Sequence, residues 1–503
     1  MKVYIIGAGP GDPGLLTLKA KAVLEMADVV VYDYLANDSF LTFCRPDAEC
    51  IYVGKKSGNH TLPQDRINAL LVDKAREGKV IARLKGGDPY IFGRGAEEAE
   101  ELLEAGIPVE VVPGVTSAVA AAACAGIPLT HRKYASSVSF ITGHEDLTKR
   151  ESALHWNALA KSSSTLVFFM GMKNLFAIAQ NLIVGGRSAE TPVALVRWGT
   201  TCRHTSIVST LADVAMAAER DGFKAPCLII VGEVVCLAST LNFFERRPLL
   251  GKGIVVTRAR EQASKLLEQL AELGACCYQF PTIEVRPLDD YAKVEQTILR
   301  LRDYDWLVFT SANGVKYFWE YLGEVGLDTR ILGGIKVAAI GPATAIALAG
   351  RGVNADLVPE QYVTESLVTR LLEQDMAGAR VLIPRAREAR ELLPEELAKV
   401  GVKVQVLPLY EIVPAEADQE ALLAAMATGE IHCITFASSS TVDNFFAHIQ
   451  SETVEAVRPG VKLACIGPVT AKTLEKHGFI ADIVPTDYTI PALVDALVDA
   501  FKV

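Results

Sequence analysis

The sequence predicts an α/β protein of two unlike halves, the second of which is an internal duplication. Three observations carry this reading. Strand-like apolar runs alternate with helix-like segments along the whole chain, the pattern of α/β architecture. Glycine or another small residue repeatedly follows such a run, where bare backbone can meet a ligand. Beyond about residue 253, four blocks recur once, in the same order, at a shift of 126 or 127 residues.

In the first half the apolar runs lie at 3–6, 27–32, 51–53, 80–84, 109–112, 166–170, 193–196 and 228–231. Pro113-Gly114 falls about midway and divides the half into subdomains of about 1–112 and 113–245. The charged, proline-containing stretch Glu245-Arg246-Arg247-Pro248 precedes a fresh strand at 253–257 and marks the main boundary. The expected division is therefore 1–245, a linker at 246–252, and 253–503.

In the second half, Phe309-Thr310-Ser311-Ala312-Asn313-Gly314-Val315 returns as Phe436-Ala437-Ser438-Ser439-Ser440-Thr441-Val442. Ile340-Gly341-Pro342-Ala343-Thr344-Ala345 returns as Ile466-Gly467-Pro468-Val469-Thr470-Ala471. Val358-Pro359 with Tyr362 matches Val484-Pro485 with Tyr488, and Arg258-Ala259-Arg260-Glu261 matches Arg385-Ala386-Arg387-Glu388. The unit is too long for a solenoid repeat. It predicts two similar α/β lobes facing a cleft, joined near 281–286 and 408–414, with hinge closure as the natural motion.

The 503 residues correspond to three or four compact units at roughly 150 residues per domain. Half the residues are hydrophobic and 22% are charged, ample for buried cores. A net charge of -10 argues against a broad nucleic-acid surface and leaves room for a local basic pocket. No leader-like segment is visible, and no apolar run reaches the ~18 residues of a membrane span. The longest, 118–125, closes at Gly126 and Pro128 and reads as a buried helix. A cytoplasmic protein without membrane or nucleic-acid partners is expected. The ten cysteines form no C-x-x-C and the eight histidines are scattered, so buried, reduced thiols are expected and no metal.

The opening loop, Gly7-Ala8-Gly9-Pro10-Gly11-Asp12-Pro13-Gly14, nearly fits a dinucleotide fingerprint. Asp12 stands where the third glycine belongs, and Pro10 stiffens the turn. A nicotinamide oxidoreductase is thus the first idea and a poor one. Three further loops share the layout: 83–93, with Gly86, Gly87 and Asp88; Pro113-Gly114-Val115-Thr116-Ser117; and Phe169-Met170-Gly171-Met172. Asp33 ends an apolar run and is the best general-base candidate.

These segments resemble the S-adenosylmethionine-dependent tetrapyrrole methyltransferase family, and within it the uroporphyrinogen-III C-methyltransferases, from Lys2 to about Val235. The most specific pieces are 7–18, Val29-Val30-Val31-Tyr32-Asp33, Tyr52-Val53-Gly54-Lys55-Lys56, 83–94 and 113–117. The resemblance implies a cofactor site lined by Pro10, Gly86, Gly87, Asp88, Ile91, Thr116, Ser117, Met170 and Gly199, with S-adenosyl-L-homocysteine as product. It implies Lys55 as partner acid or substrate-carboxylate anchor, and homodimerisation through this half. A substrate with eight carboxylates calls for a basic rim, which Lys55, Lys56, Arg83, Lys85, Arg94, Arg132 and Lys133 could supply. The chain departs from the family at His204-Thr205, where glutamine and arginine are common.

The duplicated half is similar to uroporphyrinogen-III synthases from about Gly253 to Leu497, chiefly through Ile-Gly-Pro-x-Thr-Ala, present twice. That family closes linear hydroxymethylbilane into a macrocycle with loss of water and no cofactor. Thr310, Ser311, Ser438, Ser439, Thr344 and Thr470 lie at strand ends, where hydroxyls and amides suit carboxylates. Tyr410 breaks the repeat, its counterpart being Ile283, and matches the family's cleft tyrosine, an aid to departure of the hydroxyl. Together the halves imply an enzyme that makes uroporphyrinogen III and methylates it at C2 and C7 to precorrin-2. A methyltransferase for a later precorrin, with a two-lobed binding or regulatory module, is the alternative.

Overall fold

The structure, a computed structural model, describes residues 2–34, 38–54, 62–144, 154–162, 164–258, 260–288, 292–415 and 418–502. Contacts divide it into two units. One comprises Met1–Ile254 with Leu266–Cys277 and Val494–Val503, the other Val255–Lys265 with Tyr278–Leu493.

Five strands, β1 (Lys2–Gly7), β2 (Val29–Tyr32), β3 (Glu49–Tyr52), β4 (Val80–Lys85) and β5 (Val109–Val112), form the first sheet in the order β3-β2-β4-β1-β5. All its pairings are parallel, with Lys2 opposite Val80 and Gly7 opposite Lys85. A parallel sheet is covered on both faces, so its strands read as unbroken apolar runs. Val29-Val30-Val31 and the buried stretch Ile81–Lys85 follow that rule.

The second sheet, β6 (Val138–Thr142), β7 (Thr165–Phe169), β8 (Pro192–Arg197), β9 (Thr205–Thr210) and β10 (Cys227–Val231), runs β6-β7-β10-β8-β9. Here only β6 and β7 are parallel; the other pairings are antiparallel. The alanine-rich run forms the helix Ser117–Cys124, as alanine's low entropic cost favours.

In the second half, β11 (Gly253–Val256), β12 (Cys276–Gln279), β13 (Ile283–Pro287), β14 (Trp306–Phe309), β15 (Lys336–Ala339), β16 (Arg380–Ala386), β17 (Lys403–Pro414), β18 (Cys433–Phe436) and β19 (Lys462–Cys465) make two sheets. Their orders are β12-β11-β18-β19 and β13-β17-β16-β14-β15. The duplication maps β11, β12, β14 and β15 onto β16, β17, β18 and β19. Each sheet therefore takes its first two repeat strands from one copy and its last two from the other. Thr257 Oγ1 donates to the Thr435 carbonyl and Thr435 Oγ1 to that of Val255, each at 2.8 Å, tying the two copies together.

Within each copy the details repeat. Asp356 accepts from the Val337 amide at 2.7 Å, and Asp482 from the Leu463 amide at 2.6 Å. A Cβ on Gly341 would stand 3.1 Å from Tyr362, and one on Gly467 3.1 Å from Tyr488. β13 is the odd strand, pairing antiparallel with the far end of β17, Pro287 opposite Tyr410.

The expectation of ten free thiols is corrected. Cys202 and Cys276 form a disulfide, their Cα atoms 5.2 Å apart, inside the span a bridge allows. They are 74 residues apart in sequence, so no spacing announced them. Among the described residues, no helix is long and apolar enough to cross a membrane.

Candidate active sites

The loops after β1, β4 and β5 meet backbone to backbone. Gly9 donates to the Gly87 carbonyl at 3.1 Å and Gly87 to that of Gly9 at 2.7 Å. A Cβ on Gly7 would lie 2.5 Å from Gly114 Cα and 2.6 Å from the Gly87 oxygen, so only glycine admits this approach. Asp88 fastens the arrangement: one carboxylate oxygen accepts from Gly114 N at 3.0 Å, the other from Tyr90 N at 2.8 Å. Gly87 has φ +68, and a Cβ there would be in ordinary van der Waals contact with the β5 loop, 3.8 Å from Ser117 N and 3.9 Å from Thr116 Cα. The structure thus brings Gly87, Asp88, Thr116 and Ser117 together, with Pro10 in the bridged loop beside them. Asp12, the residue that spoils the dinucleotide pattern, caps the short helix Pro13–Leu15 by accepting from Gly14 N at 2.8 Å.

The second sheet completes the site. Among the described residues, left-handed backbone at non-glycine residues is confined to Phe92 and Arg94 after β4, Met170 after β7, and Trp198 and Thr200 after β8. Such conformations carry strain and gather where loops are held for function. Phe92 packs on Phe169 with centroids 5.0 Å apart, and Tyr34 meets Trp198 edge-on at 6.2 Å. A Cβ on Gly11 would stand 2.7 Å from Thr201 Cγ2. Met170 is 54% exposed and Ile91 half-buried. Gly199 lies against Ala121, where a side chain would collide, so helix packing already explains that glycine.

Asp33, just past β2, is held by Arg83, whose Nη2 lies 3.2 Å away. Arg83 and Lys85 are 2% and 4% exposed, which corrects their place in the basic rim: they point into the protein because β4 is a central strand. Both meet Glu98, itself fully buried, Lys85 at 2.6 Å and Arg83 Nε at 3.3 Å. Burial first, then the Arg83 charge, pushes the Lys85 amine below its usual range, against the pull of Glu98. Arg94 is exposed and pairs with Glu97 at 2.6 Å; Arg132 and Lys133 are exposed. Lys55 and Lys56 lie outside the described residues. His204 is buried beside Phe244, its Nε2 3.3 Å from Glu245. The neighbouring His204 ring, then the hydrogen bonds from Ser206 and Asn242, hold the Glu245 carboxyl below its usual range.

In the second half, Ser311 caps the helix Ala312–Glu324, accepting from Gly314 N at 3.0 Å. Its Oγ also lies 2.9 Å from the Tyr410 phenol. Tyr410 stacks on Tyr317 at 5.2 Å, and burial pushes its phenol above the ordinary range, which the Ser311 bond partly offsets. Ser438 caps the helix Ser439–His448 in a reciprocal box with Thr441. Ser439 receives the Thr473 hydroxyl at 2.9 Å. Thr310 is half-buried, whereas Thr344 and Thr470 are buried in the first turns of their helices. Ser311 thus joins Tyr410, Ser439 joins Thr473, and Ser438 lies 2.9 Å from Ser440.

Glu98 was not singled out from the sequence. A signal existed: in the helix Gly95–Glu104 it shares the buried face with Gly95, Ala99 and Leu102, a poor place for a carboxylate unless it is paired.

The fold and these loops define a two-part α/β protein, with a junction of glycine loops in one part and a duplicated two-sheet body in the other. A family model of tetrapyrrole (corrin/porphyrin) methylases matches residues 2–215, and one of uroporphyrinogen-III synthase HemD matches residues 264–495. The chain belongs to the family that joins these two parts. It is 37% identical over 500 residues to the porphyrin biosynthesis protein HemD of Ruminiclostridium josui, covering 99% of this chain and 97% of that one. It is 42% identical over 332 residues to the uroporphyrinogen-III C-methyltransferase of Bacillus subtilis (strain 168), 66% of this chain and 68% of that one. A siroheme synthase of Pseudomonas entomophila (strain L48) is 54% identical over 244 residues, 48% of this chain and 52% of that protein.

Proposed function

We propose that the C-terminal half closes hydroxymethylbilane to uroporphyrinogen III with loss of water. The N-terminal half then transfers two methyl groups from S-adenosylmethionine to C2 and C7, giving precorrin-2 on the way to sirohaem or cobalamin. One observation carries this reading: the two family matches fall on separate halves of one chain, 2–215 and 264–495, and one activity's product is the other's substrate.

Pro10, Gly86, Gly87, Asp88, Ile91, Thr116, Ser117, Met170 and Gly199 would hold the methyl donor. The close backbone junction of Gly7, Gly87 and Gly114, with Thr116 and Ser117 against Gly87, suits a ligand bound by backbone groups. When bound, S-adenosylmethionine supplies an electrophilic methyl group. Asp33 receives the proton that the methylated macrocycle must lose, and Arg83 orients it. Lys55 serves as partner acid or carboxylate anchor. In the other half, Tyr410 donates its proton to the departing hydroxyl, which leaves as water. A phenol pushed upward by burial keeps that proton at neutral pH. Thr310, Ser311, Ser438 and Ser439, with the amides around them and around the buried Thr344 and Thr470, hold the substrate's carboxylates. The domain boundaries at 245 and 253, a cytoplasmic location and a homodimer through the methyltransferase half belong to the same reading.

The test is one incubation of the whole chain with hydroxymethylbilane and labelled S-adenosylmethionine, followed by isomer and mass analysis. The type III macrocycle bearing two added methyl groups is expected. The spontaneous type I isomer alone would sink the synthase assignment. A type III product without added methyl groups would sink the methyltransferase assignment.

A further inference from the structure

Glu98 is a fully buried carboxylate in the middle of a chain of charges that ends at Asp33. Its Oε1 receives Lys85 Nζ at 2.6 Å, Gln64 Nε2 at 3.0 Å and Arg83 Nε at 3.3 Å. Its Oε2 has no hydrogen-bond partner among the described residues. Arg83 spans the remaining distance: its Nη2 is 3.2 Å from Asp33, and its Nη1 donates to the Leu84 carbonyl at 3.1 Å.

We infer that Glu98 is a positioning residue of the methyltransferase site, dividing Arg83 between itself and Asp33 and so setting how firmly the candidate base is held. The inference rests on reading Asp33 as that base. The charged groups facing the network are Arg83 and Lys85 from β4, Asp33 from the end of β2, and Arg94 with its partner Glu97 at the start of Glu98's own helix. Gln64 and Asn68 approach from the helix Gln64–Arg76, and Asn68 is itself tied to Gln64 and Glu101. Two buried cations therefore face two anions, one of which opens to the site. In a poorly screened interior, removing any one of them redirects the others. Without the Glu98 charge, Arg83 turns wholly to Asp33. Without the Lys85 charge, Glu98 draws Arg83 away from Asp33.

These two changes have opposite signs, which a merely structural role does not produce. The experiment supplies uroporphyrinogen III and S-adenosylmethionine to the full chain and records kcat and KM against pH. Glu98→Gln is expected to lower kcat about tenfold and move the acid limb of the kcat profile down by roughly half to one pH unit. Lys85→Met is expected to move that limb up by a similar amount, and Glu98→Asp, which keeps the charge, to leave it in place. KM for S-adenosylmethionine stays unchanged in all three. Limbs that do not move, or that move in the same direction in Glu98→Gln and Lys85→Met, overturn the inference. Should Glu98→Gln fail to fold, an unmoved limb in Lys85→Met overturns it alone. The underlying reading fails separately, through Asp33→Asn retaining methylation.

Discussion

The hydroxyl oxygens of Ser311 and Tyr410 lie 2.9 Å apart, and the bond joins a residue that the duplication repeats to one that it does not. Ser311 returns as Ser438, whereas Tyr410 stands where the other copy has Ile283. A symmetric body thus carries one asymmetric phenol. Tyr410→Phe is expected to lower type III isomer formation by about 10²-fold. Methylation of supplied uroporphyrinogen III stays intact. The ring keeps its stacking on Tyr317, so stability drops by only about 1 kcal/mol for the lost hydrogen bond. Isomer chromatography and thermal denaturation read the two effects; undiminished cyclisation would remove Tyr410 from the mechanism.

The same phenol has a pH signature. Burial raises its folded-state pKa above the ordinary value of 10.0, so the neutral form is favoured by folding. Its stabilising contribution is complete below the unfolded value and is lost as pH rises through the folded one. In the difference between wild-type and Tyr410→Phe phenolate absorbance, the Tyr410 step is expected above pH 10, where stability also begins to fall. A step at or below the free-tyrosine value would contradict the burial.

Asp33→Asn is expected to reduce methyl transfer by about 10²- to 10⁴-fold. Cyclisation of hydroxymethylbilane should be untouched, as should binding of S-adenosylhomocysteine. Calorimetry and product mass separate these, and loss of S-adenosylhomocysteine binding would place Asp33 in the cofactor pocket instead of at the substrate.

At Gly114 an added Cβ would stand 2.7 Å from Gly7 Cα and 2.9 Å from Gly7 C. Gly114→Ala must push β1 and β5 loops apart, at about 1–3 kcal/mol, and is expected to abolish S-adenosylhomocysteine binding. Gly78→Ala is the control: with φ +85 and nothing within 4 Å, it should lose about 1 kcal/mol and bind normally. Equal binding by both variants would show that the loop junction does not shape the pocket.

Cysteine chemistry offers a count. Protein denatured without reductant should take eight alkyl groups, and ten after reduction, because Cys202 and Cys276 are joined. Ten adducts without reductant would rule the bridge out. In the native state Cys50 and Cys236 are exposed; burial raises the Cys50 thiol and pushes Cys44, Cys227 and Cys277 up to about 12, so labelling should start at the two exposed thiols.

Much of the architecture was legible in the chain. The strand runs at 80–84 and 193–196 correspond to β4 and β8, because a covered strand writes its burial as local hydrophobicity. One run misleads: Met170, apolar and next to β7, leaves the strand with φ +56. The glycines of the first loops announced close backbone approach, and the structure puts Gly7, Gly87 and Gly114 in contact. The hydroxyls of the second half were legible as strand-end residues but not as helix caps, since capping depends on where the next helix begins.

Local order along the chain was enough for the α/β class, the duplication, the glycine loops and the asymmetric Tyr410, because periodicity and repetition are properties of neighbouring residues. The exchange of strand pairs between the two copies, the Cys202–Cys276 bridge and the charge chain from Lys85 through Glu98 and Arg83 to Asp33 came from the folded molecule. Each depends on which distant surfaces are buried against one another. A buried charge reveals its partner only once the low-dielectric interior around it has been assembled.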